Sequence, residues 1–188
     1  MWPLGHAAIA YLLYTLWTRR YHGRPPAAIA VFVVLVASSF PDLVDKPLAW
    51  YLGVLPTGRT LAHSLLFLVP LVLLVLAVSR RYRRQEYGIA FAIGALSHTL
   101  VDAAPALWGG GDASHLLWPL TPVDAYESGA PSVLELFLAS FNDPYFLSEF
   151  VFAGLALAVW RADGYPGLAF VARLVGRPLE PDDDRRAS

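Results

Sequence analysis

The sequence contains no cysteine. Disulfides, thiolate metal sites and cysteine nucleophiles are thereby excluded. Charge is scarce as well: Asp, Glu, Lys and Arg make up 15% of the residues, against ~25% in a typical soluble domain. The 14 basic and 15 acidic residues leave a net charge of -1, so the chain lacks the positive excess with which a protein binds nucleic acid. No repeat of fixed period is present. No basic residue precedes the first apolar run, where a signal peptide would carry one. What remains is apolar. Hydrophobic residues form 56% of the 188-residue chain, above the usual ~45–50%. That excludes disorder and leaves too little polar surface to cover a soluble domain. A membrane environment is the expectation.

Five apolar stretches carry that expectation, at 2–17, 27–40, 61–78, 87–107 and 147–160. A bilayer core takes about 20 apolar residues. The third and fourth stretches meet that length outright; the other three are short and need flanking residues or local thinning. The predicted fold is an all-α, polytopic membrane helix bundle of about five spans over residues 1–175, followed by a polar, disordered tail at 176–188. A weaker apolar segment at 132–141 reads as a helix lying along the interface. If it spans instead, the C-terminal half inverts. Arginine and lysine set the orientation. Arg19, Arg20 and Arg24 follow the first stretch, Arg80, Arg81, Arg83 and Arg84 the third, and Arg161, Arg173, Arg177, Arg185 and Arg186 the fifth. Only Lys46 and Arg59 lie on the other side. The expected protein is multi-pass in the cell membrane, with its N-terminus outside and its C-terminus cytoplasmic. Trp2 and Trp108 then anchor the outer boundary, and Trp17 and Trp160 the inner one.

Seven acid and imidazole side chains fall at the outer ends of these stretches: His6, Asp42, Asp45, His63, His98, Asp102 and Glu149. The arginine count places them there without using any of them. His98 and Asp102 are four residues apart and share a helical face. Pro41 disfavours helix at Phe40, so the second helix ends or bends there and sets Asp42 and Asp45 in a new turn. Each residue has a plain explanation by itself. His6 can be an interfacial histidine, Asp42 a turn cap beside Lys46, His63 an anchor of its helix. His98 and Asp102 can be a helix contact, and Glu149 a carboxylate at a helix N-terminus. Together those explanations require seven separate accidents at one depth of the membrane. Ionisable groups there pair or line a polar site, and imidazole with carboxylate suits Zn²⁺, with Mn²⁺ or Fe²⁺ as alternatives. His115, in a glycine-rich loop, can approach this site. His22, Asp124, Glu127 and Asp143 read as solvated charges, and Glu135 as the polar edge of the interfacial helix. Ser64 lacks the strained elbow that would make it a nucleophile.

The same residues form an ordered set of motifs: Gly5-His6; Pro41-Asp42 with Asp45; Arg59 with His63-Ser64-Leu65-Leu66; Gly94 with Ser97-His98 and Asp102; and Leu116-Leu117-Trp118-Pro119. This series resembles the YdjM-like family of membrane proteins, described as membrane-bound metal-dependent hydrolases. The third block departs from the family's H-R-x-x-T-H-S: Gly58 and Ala62 stand where its first histidine and its threonine would be, which implies either one imidazole fewer or a subfamily marked by Gly58. The resemblance extends distantly to all-helical zinc phospholipases C, and that draws Glu149 into the candidate site. The expected function is hydrolysis at the outer membrane face, acting on a lipid phosphoester. His6, Asp42, Asp45, His63, His98 and Asp102 are the expected metal ligands. Asp45 or Glu149 would carry a proton and Arg59 would stabilise developing charge. A metal-binding or purely structural membrane protein without turnover is the alternative. Membrane lipid is the expected partner, and nucleic acid is not.

Overall fold

A computed structural model describes residues 1–125 and 132–174, and all regular structure among them is helical. The expected tail at 176–188 and Glu127 lie outside the described residues. Helix α1 (Pro3–His22) has proline at its start and ends on Gly23 in the left-handed conformation, φ 63°, the usual pairing of signals at the two ends of a helix. Helices α2 (Ala28–Ala37) and α3 (Phe40–Trp50) are separated by Ser38 and Ser39, with Pro41 in the first turn of α3. A break is present, but at Ser38–Ser39; Phe40, where Pro41 was expected to interrupt the helix, is the first residue of α3. Helix α4 (Leu65–Arg81) follows a turn at 57–64 and is capped by the Ser64 hydroxyl, which accepts from Leu66 N. Helix α5 (Gln85–Ala103) runs into a short 3₁₀ turn, Ala104–Trp108, and a second one lies at Ser114–Leu117. After it come α6 (Val133–Ser140), α7 (Pro144–Ala162) and α8 (Leu168–Leu174).

Among the described residues, three segments are long and apolar enough to cross a membrane: 28–50, 85–108 and 144–162. The ranking of the stretches thus changes. The third forms a helix of only 17 residues, because its first residues belong to the turn that carries His63. The second gains length by continuing through α3, and the fifth by starting early at an Asp143-Pro144 cap. Asp143 is exposed, as expected of a solvated charge, and also opens α7, its carboxylate accepting from Tyr145 N. Helix α6, with 8 residues, is about 12 Å long and too short to span. None of its residues is buried, as expected of an interfacial helix.

Helix α5 is central and packs against α1, α2 and α4, while α7 packs on α1. Small side chains are prominent in these contacts, beside the fully buried Tyr14, Val34 and Leu68. Ala10, Ala30, Ala90 and Ala95 are fully buried, and so is Ala37 but for 1%. A Cβ on Gly94 would stand 2.6 Å from Val34 O and 2.7 Å from Ala37 Cβ, so only glycine lets α5 lie this close to α2. Leu16, Leu73, Leu74, Leu155 and Leu157 point outward and are more than half exposed. Small residues inside and large aliphatic ones outside is the pattern of helices that pack within lipid.

Candidate metal centre

The alternating helix directions bring the start of α1, the α2–α3 junction, the turn before α4, the end of α5 and the start of α7 to one end of the bundle. All seven acid and imidazole residues are there. The polar set begins with Asp45, which is fully buried. Its Oδ1 accepts from Ala62 N (2.8 Å), and its Oδ2 accepts from Thr60 N (2.8 Å), His63 N (3.2 Å) and His63 Nδ1 (2.8 Å). One carboxylate thus folds the 57–64 turn around itself. Expected as a metal ligand or proton carrier, Asp45 instead has both oxygens engaged by the turn, and it holds the ring of His63.

His98 is held by the same logic. The close approach at Gly94 puts the end of α2 beside α5, and His98 Nδ1 donates to Ser38 O at 2.6 Å. The partners of both Nδ1 atoms, a carboxylate and a carbonyl, can only accept. Both rings therefore carry a proton on Nδ1, and in its neutral form each presents a bare Nε2 lone pair. These two Nε2 atoms face each other at 3.1 Å. Asp42 Oδ1 lies 3.6 Å from His63 Nε2 and 3.7 Å from His98 Nε2. It is buried and has no hydrogen-bond partner, while Asp42 Oδ2 pairs with Lys46 Nζ at 2.6 Å. With both rings neutral, three electron-pair donors converge here.

Asp102 closes the other side. Its Oδ1 lies 3.1 Å from His6 Nε2 and 3.3 Å from the Met1 amino group, and its Oδ2 pairs with Arg59 Nε at 2.9 Å. Asp102 Oδ2 is also 3.8 Å from His63 Nε2 and 3.9 Å from His98 Nε2. The His6 ring stacks on His98 with centroids 3.8 Å apart, and its Nδ1 is buried without a partner. Among the described residues, two overlapping groups could hold a metal ion: His6, His98 and Asp102, and Asp42, His63 and His98, with the ligand atoms of each group within 4.8 Å of one another.

Glu149 is buried but stands outside both groups. Its Oε2 accepts from Trp2 N at 3.0 Å. Gly5 makes that possible, since a Cβ there would meet Glu149 Cβ at 2.7 Å. The geometry gives Glu149 the task of tying α7 to the start of α1. Ser64, besides capping α4, donates to Trp118 O at 2.6 Å, so the H-S-L-L and L-L-W-P blocks are joined to each other. That tie brings in His115, which sequence reasoning had left at the margin. Its ring centroid is 6.1 Å from that of His63, and its Nε2 is buried without a partner. Burial, with His63 and Arg59 nearby, holds its imidazole pKa below the ordinary value. Trp2, expected only as a boundary anchor, donates from its indole to Ser140 Oγ at 2.9 Å and lines a cavity of about 710 Å³ next to the cluster. Gly58 lines that cavity too.

A family model described as YdjM inner membrane protein matches residues 1–175. The chain belongs to the YdjM inner membrane protein family. No curated protein and no solved structure matches it. Membership in YdjM accords with the membrane-capable helices and covers every residue of the cluster.

Proposed function

We propose that this YdjM protein is a metal-dependent hydrolase whose centre faces the outer side of the membrane and acts on a phosphoester of a lipid. One observation carries the reading: two buried imidazoles, each donating from Nδ1–H to an acceptor, aim their Nε2 atoms at each other beside an unpartnered carboxylate oxygen. Neutral side chains cannot satisfy that geometry among themselves, and a buried acceptor without a donor is costly. A divalent cation satisfies all three. Two or three imidazoles with carboxylates form a donor set suited to Zn²⁺. A purely structural cluster would be expected to close its hydrogen bonds.

When bound, such a cation supplies Lewis acidity and lowers the pKa of a water that it touches. The chain does the rest. His63 and His98 are kept in the ligating tautomer by Asp45 and Ser38. Asp42 Oδ1 completes the donor set beside the two imidazoles, with Lys46 holding its other oxygen. Arg59, half-exposed and next to Asp102, is placed to balance charge on a phosphoryl oxygen. In the reaction, water oxygen bonds to phosphorus and the ester P–O bond breaks. One water proton passes to the departing alkoxide and the other stays on the phosphoryl group, leaving an alcohol and a phosphate. Sidedness rests on the other end of the bundle. Arg19, Arg20, Arg24, Arg80, Arg81, Arg83, Arg84 and Arg161 all lie there, which makes that end cytoplasmic by the positive-inside rule. The test is a screen of lipid phosphoesters with zinc-reconstituted protein. Turnover that needs the metal and disappears in His98→Ala, while that variant still inserts and extracts normally, supports the proposal. No turnover of any phosphoester by metal-loaded protein contradicts it.

A further inference from the structure

The cavity of about 710 Å³ beside the centre is not used by any step above. Its size is that of a pocket for a small ligand, and its walls are of two kinds. Trp2, Trp50, Val133, Leu136 and Phe146 make an apolar side. Part of that side is α6, whose large aliphatic and aromatic residues are exposed. Phe137 and Phe146 meet the Trp2 ring edge-on at 5.1 and 6.4 Å. The other side carries two cations, Lys46 and Arg59. Each is also the ion-pair partner of a cluster carboxylate, Lys46 of Asp42 and Arg59 of Asp102. The cations therefore stand on the boundary between cluster and cavity. The one acid in the wall, Asp143, spends Oδ1 on capping α7.

From this arrangement we infer that the cavity binds a phosphate-bearing amphiphile, with the phosphate against Arg59 and Lys46 and the alkyl part between α6 and the Trp2–Phe146 wall. The inference rests on the hydrolase reading in one respect: a dication among Asp42, His63, His98 and Asp102 neutralises the carboxylates and leaves the two cations to face the cavity with net positive charge. The same site then selects against free inorganic phosphate, which fills only the charged side, and against neutral alkyl chains, which fill only the other.

Binding can be measured without turnover. The full chain in a neutral maltoside detergent, with and without Zn²⁺, is titrated with dodecyl phosphate brominated at the far end of the chain, and quenching of tryptophan fluorescence is recorded. Saturable quenching is expected with zinc. It should vanish in the Trp2→Phe/Trp50→Phe double variant. Brominated dodecanol should quench only weakly, and inorganic phosphate should displace the probe poorly. Arg59→Gln and Lys46→Gln should each weaken binding about tenfold to a hundredfold. Metal content and thermal stability are measured in every variant, so that a folding defect is recognised; either of the two single variants, well folded, suffices for the test. Equal quenching by the phosphate and the alcohol, displacement by inorganic phosphate at the same concentration as the probe, or quenching unchanged in the double tryptophan variant would overturn the inference. Turnover of phosphoesters with no probe binding would overturn it and leave the hydrolase reading intact. Probe binding with no turnover would do the reverse.

Discussion

The two ends of the bundle both bury a carboxylate among helices, and they treat it in opposite ways. At the arginine end, Asp163 accepts from Tyr11 Oη and Thr15 Oγ1, both at 2.6 Å, and from Arg19 Nε at 3.0 Å. Burial pushes its carboxyl pKa up, but the hydrogen bonds from Thr15, Tyr11 and Arg19 together outweigh that and hold it below the ordinary value. Every donor and acceptor is matched, and the result is a tie between α1 and α7. At the histidine end, Asp42 Oδ1, His6 Nδ1 and His115 Nε2 are buried and have no partner. Asp45, in the middle of that same end, is as fully matched as Asp163. The contrast shows what a structural carboxylate looks like in this fold, and the open atoms around Asp42 differ from it in kind. A bundle that satisfies Asp163 and Asp45 with three or more donors each has the means to close its polar groups.

That contrast can be broken from either side. The largest expected effect is that of His98→Ala, which removes a member shared by both ligand groups and should abolish metal-dependent turnover in a lipid phosphoester assay. Asp45→Asn comes next. It keeps the volume but loses the carboxylate that sets the His63 tautomer, and metal affinity measured by competition with a chelator should fall about 10–100-fold. Third is Gly94→Ala, whose new Cβ meets backbone atoms of α2; loss of about 1–3 kcal/mol should appear as a lower Tm in detergent. Asp163→Asn should lower stability by a comparable or smaller amount, about 1–3 kcal/mol, and leave metal content unchanged. Its pH dependence is the smallest effect. The folded pKa of Asp163 lies below the unfolded value of about 3.9, so its contribution is complete above that value and is lost as pH falls through the folded pKa. The Tm difference between wild type and Asp163→Asn should therefore be constant from pH 7 to pH 5 and shrink under stronger acid.

Much of this was legible in the sequence. Apolar runs and arginine spacing are local properties, and they place His6, Asp42, His63, His98 and Asp102 at one end without any knowledge of packing. Pro41 signals a break there for the same reason, though the break falls at Ser38–Ser39. The partners of Asp45 are not local: they are backbone amides of a turn 15 to 18 residues further on, and no spacing rule separates a carboxylate that binds amides from one that binds metal. Glu149 and Trp2 are in the same position, since Gly5 permits their contact only once α1 and α7 are packed. His115 comes near the cluster through the Ser64–Trp118 hydrogen bond, a long-range tie. Asp163 gives no signal at all in its own segment; its donors Tyr11, Thr15 and Arg19 are more than 140 residues away.

The most direct measurement is metal content, by elemental mass spectrometry of detergent-purified protein reconstituted with Zn²⁺ or Mn²⁺. Wild type is run beside the His63→Ala/His98→Ala double variant and Asp163→Asn. The account predicts one or more equivalents of metal in wild type and in Asp163→Asn, and none in the double variant. Wild type without metal, or a double variant that keeps it, would contradict the assignment of the histidine end as a metal centre.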